Sequence, residues 1–294
     1  MIKPPPFDKR QKIGIVALAG PMDSEVLLKG EDYLRSLGYD VLIAPSCFEK
    51  HRYLAGNSDE ERAFDLKMMF ANDEIGAIIN MRGGYGSNRL MPYIEDFNFA
   101  KYPKPFIGYS DITYMHIYLN QQHNLITYHG PMIKEILAND EITTGGLIKT
   151  CLKGKPLTLK CVPFLNKEKE QVSGRIIGGN LTVIASTLGT PYEIDTKGKI
   201  LFLEEVNEEP YSIDRLLMQL LYAHKIDDCA GIILGDFNSL DKDGVLKTIK
   251  KILLPTNKTI AYHIPAGHTL PNISIPLGAK CRLDVVKNLI TFIE

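Results

Sequence analysis

The sequence has no tryptophan in 294 residues, and several other features are missing with it. Its five cysteines, Cys47, Cys151, Cys161, Cys229 and Cys281, form no Cys-x-x-Cys pair. Such spacing argues against a zinc ribbon or a disulfide framework and suits reduced, mostly buried thiols in a cytoplasmic protein. There is no excess of one charge. The 34 Lys and Arg meet 35 Asp and Glu, so neither nucleic acid nor an anionic membrane is an expected partner. No apolar run reaches the length of a membrane span, and residues 1–10 lack the apolar stretch of a secretory signal. No His-x-x-x-His or acidic cluster marks a metal site, so no metal and no cofactor are expected. Repeats and low-complexity tracts are absent. What is present is the make-up of a globular chain, 45% hydrophobic and 23% charged, long enough for one large domain or two ordinary ones.

The first half alternates short apolar strands with amphipathic helices. The pattern predicts strands over 13–18, 39–44 and 77–80, one that ends in Gly108-Tyr109-Ser110-Asp111, and one over 125–128, with helices over 24–37, from the Ser58 cap to about 71, near 88–96 and over 111–122. Ser58 followed by Glu61 reads as a capping box for one of them. Repeated β-α-β units imply a doubly wound, mainly parallel sheet of Rossmann or flavodoxin type, with helices on both faces. Residues 151–172 change character and read as a linker with some local structure. A second α/β unit begins at 173, with Gly178-Gly179-Asn180 opening a helix, strands over 199–204 and 230–234, and a helix over 211–223. From Leu253 on, the pattern is mainly strand and loop. The expected organisation is therefore an N-terminal domain over 1–150, the linker, and a C-terminal α/β domain with a mixed sheet over 173–294.

In parallel sheets, ligands bind beyond the carboxyl ends of the strands. Ser110 lies at such an end, in Gly108-Tyr109-Ser110-Asp111-Ile112-Thr113. A strand that turns at once into a helix can expose a serine hydroxyl beside free helical N–H groups, as in a nucleophile elbow. The same residues could serve only as the helix cap. A second strand end carries Arg82-Gly83-Gly84-Tyr85-Gly86. Adjacent glycines let backbone N–H groups converge on an anion, and the spacing fits neither a dinucleotide fingerprint nor a P-loop. One N–H from this loop, with that of Asp111, suits an oxyanion hole. A plain tight turn is the other reading. Glu204 and Glu205 end the apolar strand Ile200-Leu201-Phe202-Leu203, where alternation sends their side chains to opposite sides. His268 sits in Ile264-Pro265-Ala266-Gly267-His268-Thr269, a loop that holds an imidazole without packing it away. The order Ser110, Glu204, His268 matches a known nucleophile–acid–base order.

These motifs carry a resemblance. The chain resembles the L,D-carboxypeptidases of serine peptidase family S66, which also includes microcin C immunity peptidases. The matching segments are Tyr53-Leu54-Ala55-Gly56 with Asp59-Glu60-Glu61-Arg62, the Gly-rich loop, the Gly108–Thr113 run, His129-Gly130-Pro131-Met132, Ile177-Gly178-Gly179-Asn180-Leu181, Leu201–Glu205 and Gly267-His268-Thr269. They run in family order over nearly the whole chain. The resemblance implies Ser110 as nucleophile, His268 as base and Glu204 as its acid, although many relatives have Leu-Glu-Asp where this chain has Leu203-Glu204-Glu205. It implies an oxyanion hole from the N–H groups of Asp111 and Gly84, and two domains with the site in the cleft between them. It also implies a cytoplasmic homodimer that releases D-alanine from murein tetrapeptides during cell-wall recycling. Gly83, Tyr85 and Arg82 are the expected substrate contacts, and Arg82 or Arg89 a clamp for the terminal carboxylate. A peptidase for microcin C-like peptidyl nucleotides is the rival within the family, and a non-catalytic small-ligand binder the rival outside it. The lack of tryptophan counts against stacking a nucleobase.

Overall fold

The computed structural model describes residues 1–164 and 171–293. Its strands are β1 (Lys12–Val16), β2 (Asp40–Ile43), β3 (Lys50–His51), β4 (Leu54–Ala55), β5 (Ile75–Asn80), β6 (Phe106–Gly108), β7 (Thr127–His129), β8 (Thr158–Lys160), β9 (Val162–Pro163), β10 (Gln171–Asn180), β11 (Ile200–Val206), β12 (Gly231–Asn238), β13 (Thr259–Tyr262), β14 (Ile275–Leu277), β15 (Lys280–Asp284) and β16 (Leu289–Phe292). The first sheet has the order β14-β7-β6-β5-β1-β2. It is parallel except at its edge, where β14 runs antiparallel to β7. The second sheet has the order β8-β16-β15-β10-β11-β12-β13-β9, with a parallel centre from β10 to β13 and antiparallel flanks. The fold is thus the α/β class expected, a mainly parallel sheet followed by a mixed one.

Burial explains why the central strands read as unbroken apolar runs. Every residue of β5 is buried, because helices cover both faces of a parallel sheet. One core fills the first sheet, and two more lie on the second, the first around Leu201, Leu203 and Leu234, the other around Phe202, Ile233 and Ile264. Helix Asp59–Ala71 starts as its sequence suggests. Ser58 Oγ accepts from Glu61 N at 3.2 Å, while the Glu61 carboxylate reaches back one residue further than in a standard box, to Asn57 N at 2.6 Å.

Several expected boundaries shift. The helix expected over 88–96 is a 3₁₀ turn, Ser87–Leu90, followed by the short helix Met91–Ile94. The helix expected from 111 begins as a 3₁₀ turn, Ser110–Ile112, and becomes α-helical over Thr113–His123. The segment read as a linker supplies β8 and β9, the two edges of the second sheet, which are only three and two residues long and so carry little periodic pattern. Asn166–Glu170 of that segment lie outside the described residues. Near the other end of the chain, β14 pairs with β7 while Ile275 and Leu277 pack into the core of the second sheet, so residues expected wholly in the C-terminal unit complete the first sheet. All five cysteines are buried and free. Among the described residues, no helix is long and apolar enough to cross a membrane.

Candidate active site

Ser110 stands where β6 gives way to the helical turn, and its backbone has φ +63°. A side chain other than glycine costs about 1–2 kcal/mol in that left-handed region. The strain needs a reason, and capping does not supply it, since the turn at Ser110 and the helix after it make no side-chain cap bond. The Asp111 carboxylate turns away from the helix and accepts from Ser87 N at 2.8 Å, while Ser87 Oγ donates to Asp111 O at 2.7 Å. These bonds tie the serine turn to the end of the Gly-rich loop. Burial, opposed by the Ser87 bonds, pushes the Asp111 carboxyl above its usual range.

The loop is pressed against the serine. A Cβ added to Gly83 would lie 2.7 Å from Ser110 Cβ and 2.8 Å from Ser110 Oγ. Only glycine lets the backbone come so near the hydroxyl. Gly84 has φ +117°, and its missing Cβ allows contact with Gly20. Arg62 anchors the loop from beneath. It is fully buried and donates to Leu18 O, Gly86 O and the Asp59 carboxylate.

On the other side, β11 delivers Glu204 to its carboxyl end with no exposed surface. Glu204 Oε2 and His268 Nδ1 are 2.8 Å apart. An ionised carboxylate only accepts, so Nδ1 carries the proton and Nε2 is left as the free base. Gly267 makes the contact possible, with φ +112° and a would-be Cβ only 2.4 Å from Glu204 Oε2. Burial disfavours the imidazolium, but the hydrogen bond and charge of Glu204 outweigh it and hold His268 above the ordinary imidazole value. Glu205 faces the opposite way. It accepts from Asn180 Nδ2 at 2.7 Å, Thr182 N at 2.8 Å and Thr182 Oγ1 at 2.7 Å, which places it at the start of helix Leu181–Thr187.

Ser110, His268, Gly83, Gly84 and Arg82 line one cavity of about 400 Å³, with Lys134 and Glu135 on another wall. Arg82 Nη1 donates to Pro21 O at 2.8 Å, which steadies the guanidinium at the rim. Tyr85 does not line this cavity; it lies on the outside against Tyr53, ring centroids 5.9 Å apart. Arg89 is engaged elsewhere, with its Nε donating to both oxygens of Asp59 at 3.1 and 2.9 Å. It does not line the cavity that holds Ser110 and His268. Among the described residues, no group of three or more His, Cys, Asp and Glu is placed to hold a metal ion.

Three neighbours of the site were not singled out from sequence. Tyr109 is buried and sets its ring edge-on to His268, centroids 4.8 Å apart. Its hydroxyl interacts with Glu135, and burial, with that carboxylate, pushes its pKa far above the usual phenol range, so it stays neutral. His129 lies beneath Tyr109, fully buried, with burial holding it neutral. Glu135 also accepts from Met132 N at 3.1 Å. A glutamate two residues into the short helix Ile133–Leu137, close after His129-Gly130-Pro131-Met132, was the only local signal for it.

A strained serine turn, glycines packed against it and a buried acid–imidazole pair in one cleft define a hydrolase-like centre. Comparison with known proteins makes the assignment. The family description for the LD-carboxypeptidase N-terminal domain matches residues 13–130, and that for the LD-carboxypeptidase C-terminal domain matches residues 173–283. The chain belongs to the S66 LD-carboxypeptidase family, and with its relatives it is a carboxypeptidase, a hydrolase. It is 35% identical to a probable murein peptide carboxypeptidase of Bacillus subtilis, over 97% of this chain and 92% of that protein. It is 29% identical to the murein tetrapeptide carboxypeptidase of Pseudomonas aeruginosa, over 95% and 94%. The crystal structure of a muramoyltetrapeptide carboxypeptidase from Oxalobacter formigenes superposes with a TM-score of 0.83 at 27% identity, covering 96% of this chain and 97% of that one. The microcin C7 self-immunity protein MccF, in complex with aspartyl sulfamoyl adenosine, shares the fold, with a TM-score of 0.89 at 22% identity over 100% of this chain and 99% of that one.

Proposed function

We propose that the chain is a serine-type L,D-carboxypeptidase that releases the terminal D-alanine of murein tetrapeptides in the cytoplasm, acting as a homodimer. One observation carries the reading: a positive-φ serine shares a cavity with an imidazole whose far nitrogen is held by a buried glutamate. Ser110 Oγ attacks the scissile carbonyl carbon as its proton passes to His268 Nε2. Glu204 keeps Nδ1 protonated and stabilises the imidazolium that forms. The oxyanion is met by the N–H groups of Asp111 and Gly84, which donate to no backbone carbonyl among the described residues. Collapse breaks the C–N bond, and His268 returns the proton to the leaving D-alanine nitrogen. Water, deprotonated by the same imidazole, then releases the tripeptide. The exposed guanidinium face of Arg82, beside the Gly-rich loop, suits the terminal carboxylate.

The rival substrate, a microcin C-like peptidyl nucleotide, gains support from the exposed Tyr53–Tyr85 pair beside the loop, which could stack a base, and loses it from the lack of tryptophan. Mass spectrometry separates the two. The purified protein, incubated with murein tetrapeptide, should yield tripeptide and free D-alanine. Cleavage of the peptidyl nucleotide alone would transfer the assignment to the rival, and cleavage of neither would reject both.

A further inference from the structure

A second cavity, of about 420 Å³, opens beyond the carboxyl ends of the parallel strands β12 and β13, where sheets of this kind receive ligands. Its size falls within the range of about 300–1,000 Å³ usual for small-molecule sites. It shares no lining residue with the reaction cavity, although Thr269 in its wall directly follows His268 in the wall of the other. The lining is mostly apolar, with Val245, Leu246 and Ile249 supplied by helix Lys242–Leu253. Two side chains of opposite charge, Asp236 and Lys242, line it as well. Among the described residues, neither the Asp236 carboxylate nor the Lys242 ammonium makes a hydrogen bond or an ion pair, not even with the other. Asp236 is half-buried, and its N–H donates to Ala266 O at 3.0 Å, which fixes it against the loop that carries His268. Burial pushes its carboxyl above the usual range, and the charge of Lys242 is the main influence opposing this. A partly desolvated carboxylate without a donor is costly, and a cation set apart from it in the same cavity leaves a gap between the two.

We propose that this cavity binds a free amino acid with an apolar side chain of leucine size, as the zwitterion. Its ammonium donates to Asp236, its carboxylate accepts from Lys242, and its side chain lies on Val245, Leu246 and Ile249. A ligand with one charge would satisfy only one of the two unpaired groups, and a wholly apolar one would bury both without partners. Only a molecule that carries both signs beside an apolar body matches all three features of the lining. The Asp236 contact, half-buried and charge-assisted, is the stronger of the two, and the Lys242 contact is exposed and weakened by salt.

The probe is L-leucine, titrated by calorimetry into the full chain. Isoamylamine and isocaproate serve as analogues that each lack one charged group, and L-alanine as one that lacks the apolar body. L-Leucine should bind about tenfold tighter than either single-charge analogue, the difference that one charge-assisted hydrogen bond makes. It should also bind tighter than L-alanine, which leaves the apolar wall uncovered. Asp236→Asn should weaken L-leucine about tenfold and Lys242→Met about threefold. Leu246→Trp, which adds volume to the lining, should abolish binding, and Arg82→Met, in the other cavity, should leave it unchanged. Thermal melts accompany the titrations, and the exposed Lys242→Met carries the test should Asp236→Asn unfold. No binding of L-leucine to the folded wild type overturns the proposal. So does isoamylamine or isocaproate binding as tightly as L-leucine, a preference for L-alanine, or binding that is lost with Arg82→Met and kept with Asp236→Asn. None of these readouts uses peptide turnover, so the amino-acid site stands or falls apart from the peptidase reading.

Discussion

The two halves of the site are built by different physics. The N-terminal half works through backbone: a serine held at φ +63° and glycines that let the chain crowd its hydroxyl. The C-terminal half works through buried charge: a carboxylate with no exposed surface, 2.8 Å from an imidazole that stands in the shared cavity. The first half tolerates little added volume, and the second tolerates no loss of charge. Substitutions should therefore fail in different ways on the two sides.

The largest separation is expected within the second half. Replacing His268 by Ala or Glu204 by Gln should lower kcat by about 10³–10⁴-fold, as removal of triad members does. Glu205→Gln should leave kcat within a few-fold and instead cost about 1–2 kcal/mol of stability, because Glu205 accepts from Thr182 N and Asn180 at the start of a helix. Steady-state kinetics with thermal melting of the three variants checks both parts. A Glu205 variant more impaired in turnover than the Glu204 variant would put the acid on the other face of β11.

Next is the crowded backbone. Gly83→Ala places a methyl group 2.7 Å from Ser110 Cβ, so the loop or the serine must move. Displacing an oxyanion donor costs about 10²–10³-fold in kcat, and a loss of that size is expected with the fold intact by circular dichroism. Wild-type turnover in this variant would remove the loop from the mechanism.

A smaller effect separates the halves by pH. The base works only when neutral, so kcat/KM should fall as pH drops through the His268 pKa. Because Glu204 raises that pKa against the opposing effect of burial, the acid limb should lie above 6.5. Glu204→Gln removes the raising influence and leaves burial, so in the residual activity the limb should move down. A limb that stays put would mean that another group titrates.

The smallest effect is at the rim. Arg82→Met should raise KM several-fold with kcat nearly unchanged, as loss of uniform binding does. A tetrapeptide amidated at its D-alanine should be a poor substrate for the wild type and no worse for the variant. Equal wild-type turnover of amidated and free-acid peptides would free Arg82 of this role.

How much of this was legible in sequence follows the same division. The serine turn and the Gly-rich loop are local features, written in consecutive residues, and the structure brings them together. Glu204 was legible because strand alternation is local too, and the partition of Glu204 and Glu205 to opposite faces follows the expected register. The misses are all matters of distance along the chain. Arg62 supports Gly86 from another helix, and Glu135 reaches Tyr109 across the cleft, with no periodicity to announce either. Arg89 is a neighbour of the Gly-rich loop in sequence, but in the structure it pairs with Asp59, thirty residues earlier. The strands within residues 151–172 were not legible because β8 and β9 are short edge strands, and β14 could not be given to the first sheet because its pairing with β7 spans nearly half the chain.

The central claim is that the strained serine is the nucleophile. It is tested most directly by following murein tetrapeptide with wild-type protein and with Ser110→Ala side by side, at matched folding, and counting tripeptide and D-alanine by mass spectrometry. The account predicts both products from the wild type and a rate for the variant lower by about three orders of magnitude or more. A variant that works within a few-fold of the wild type would contradict it.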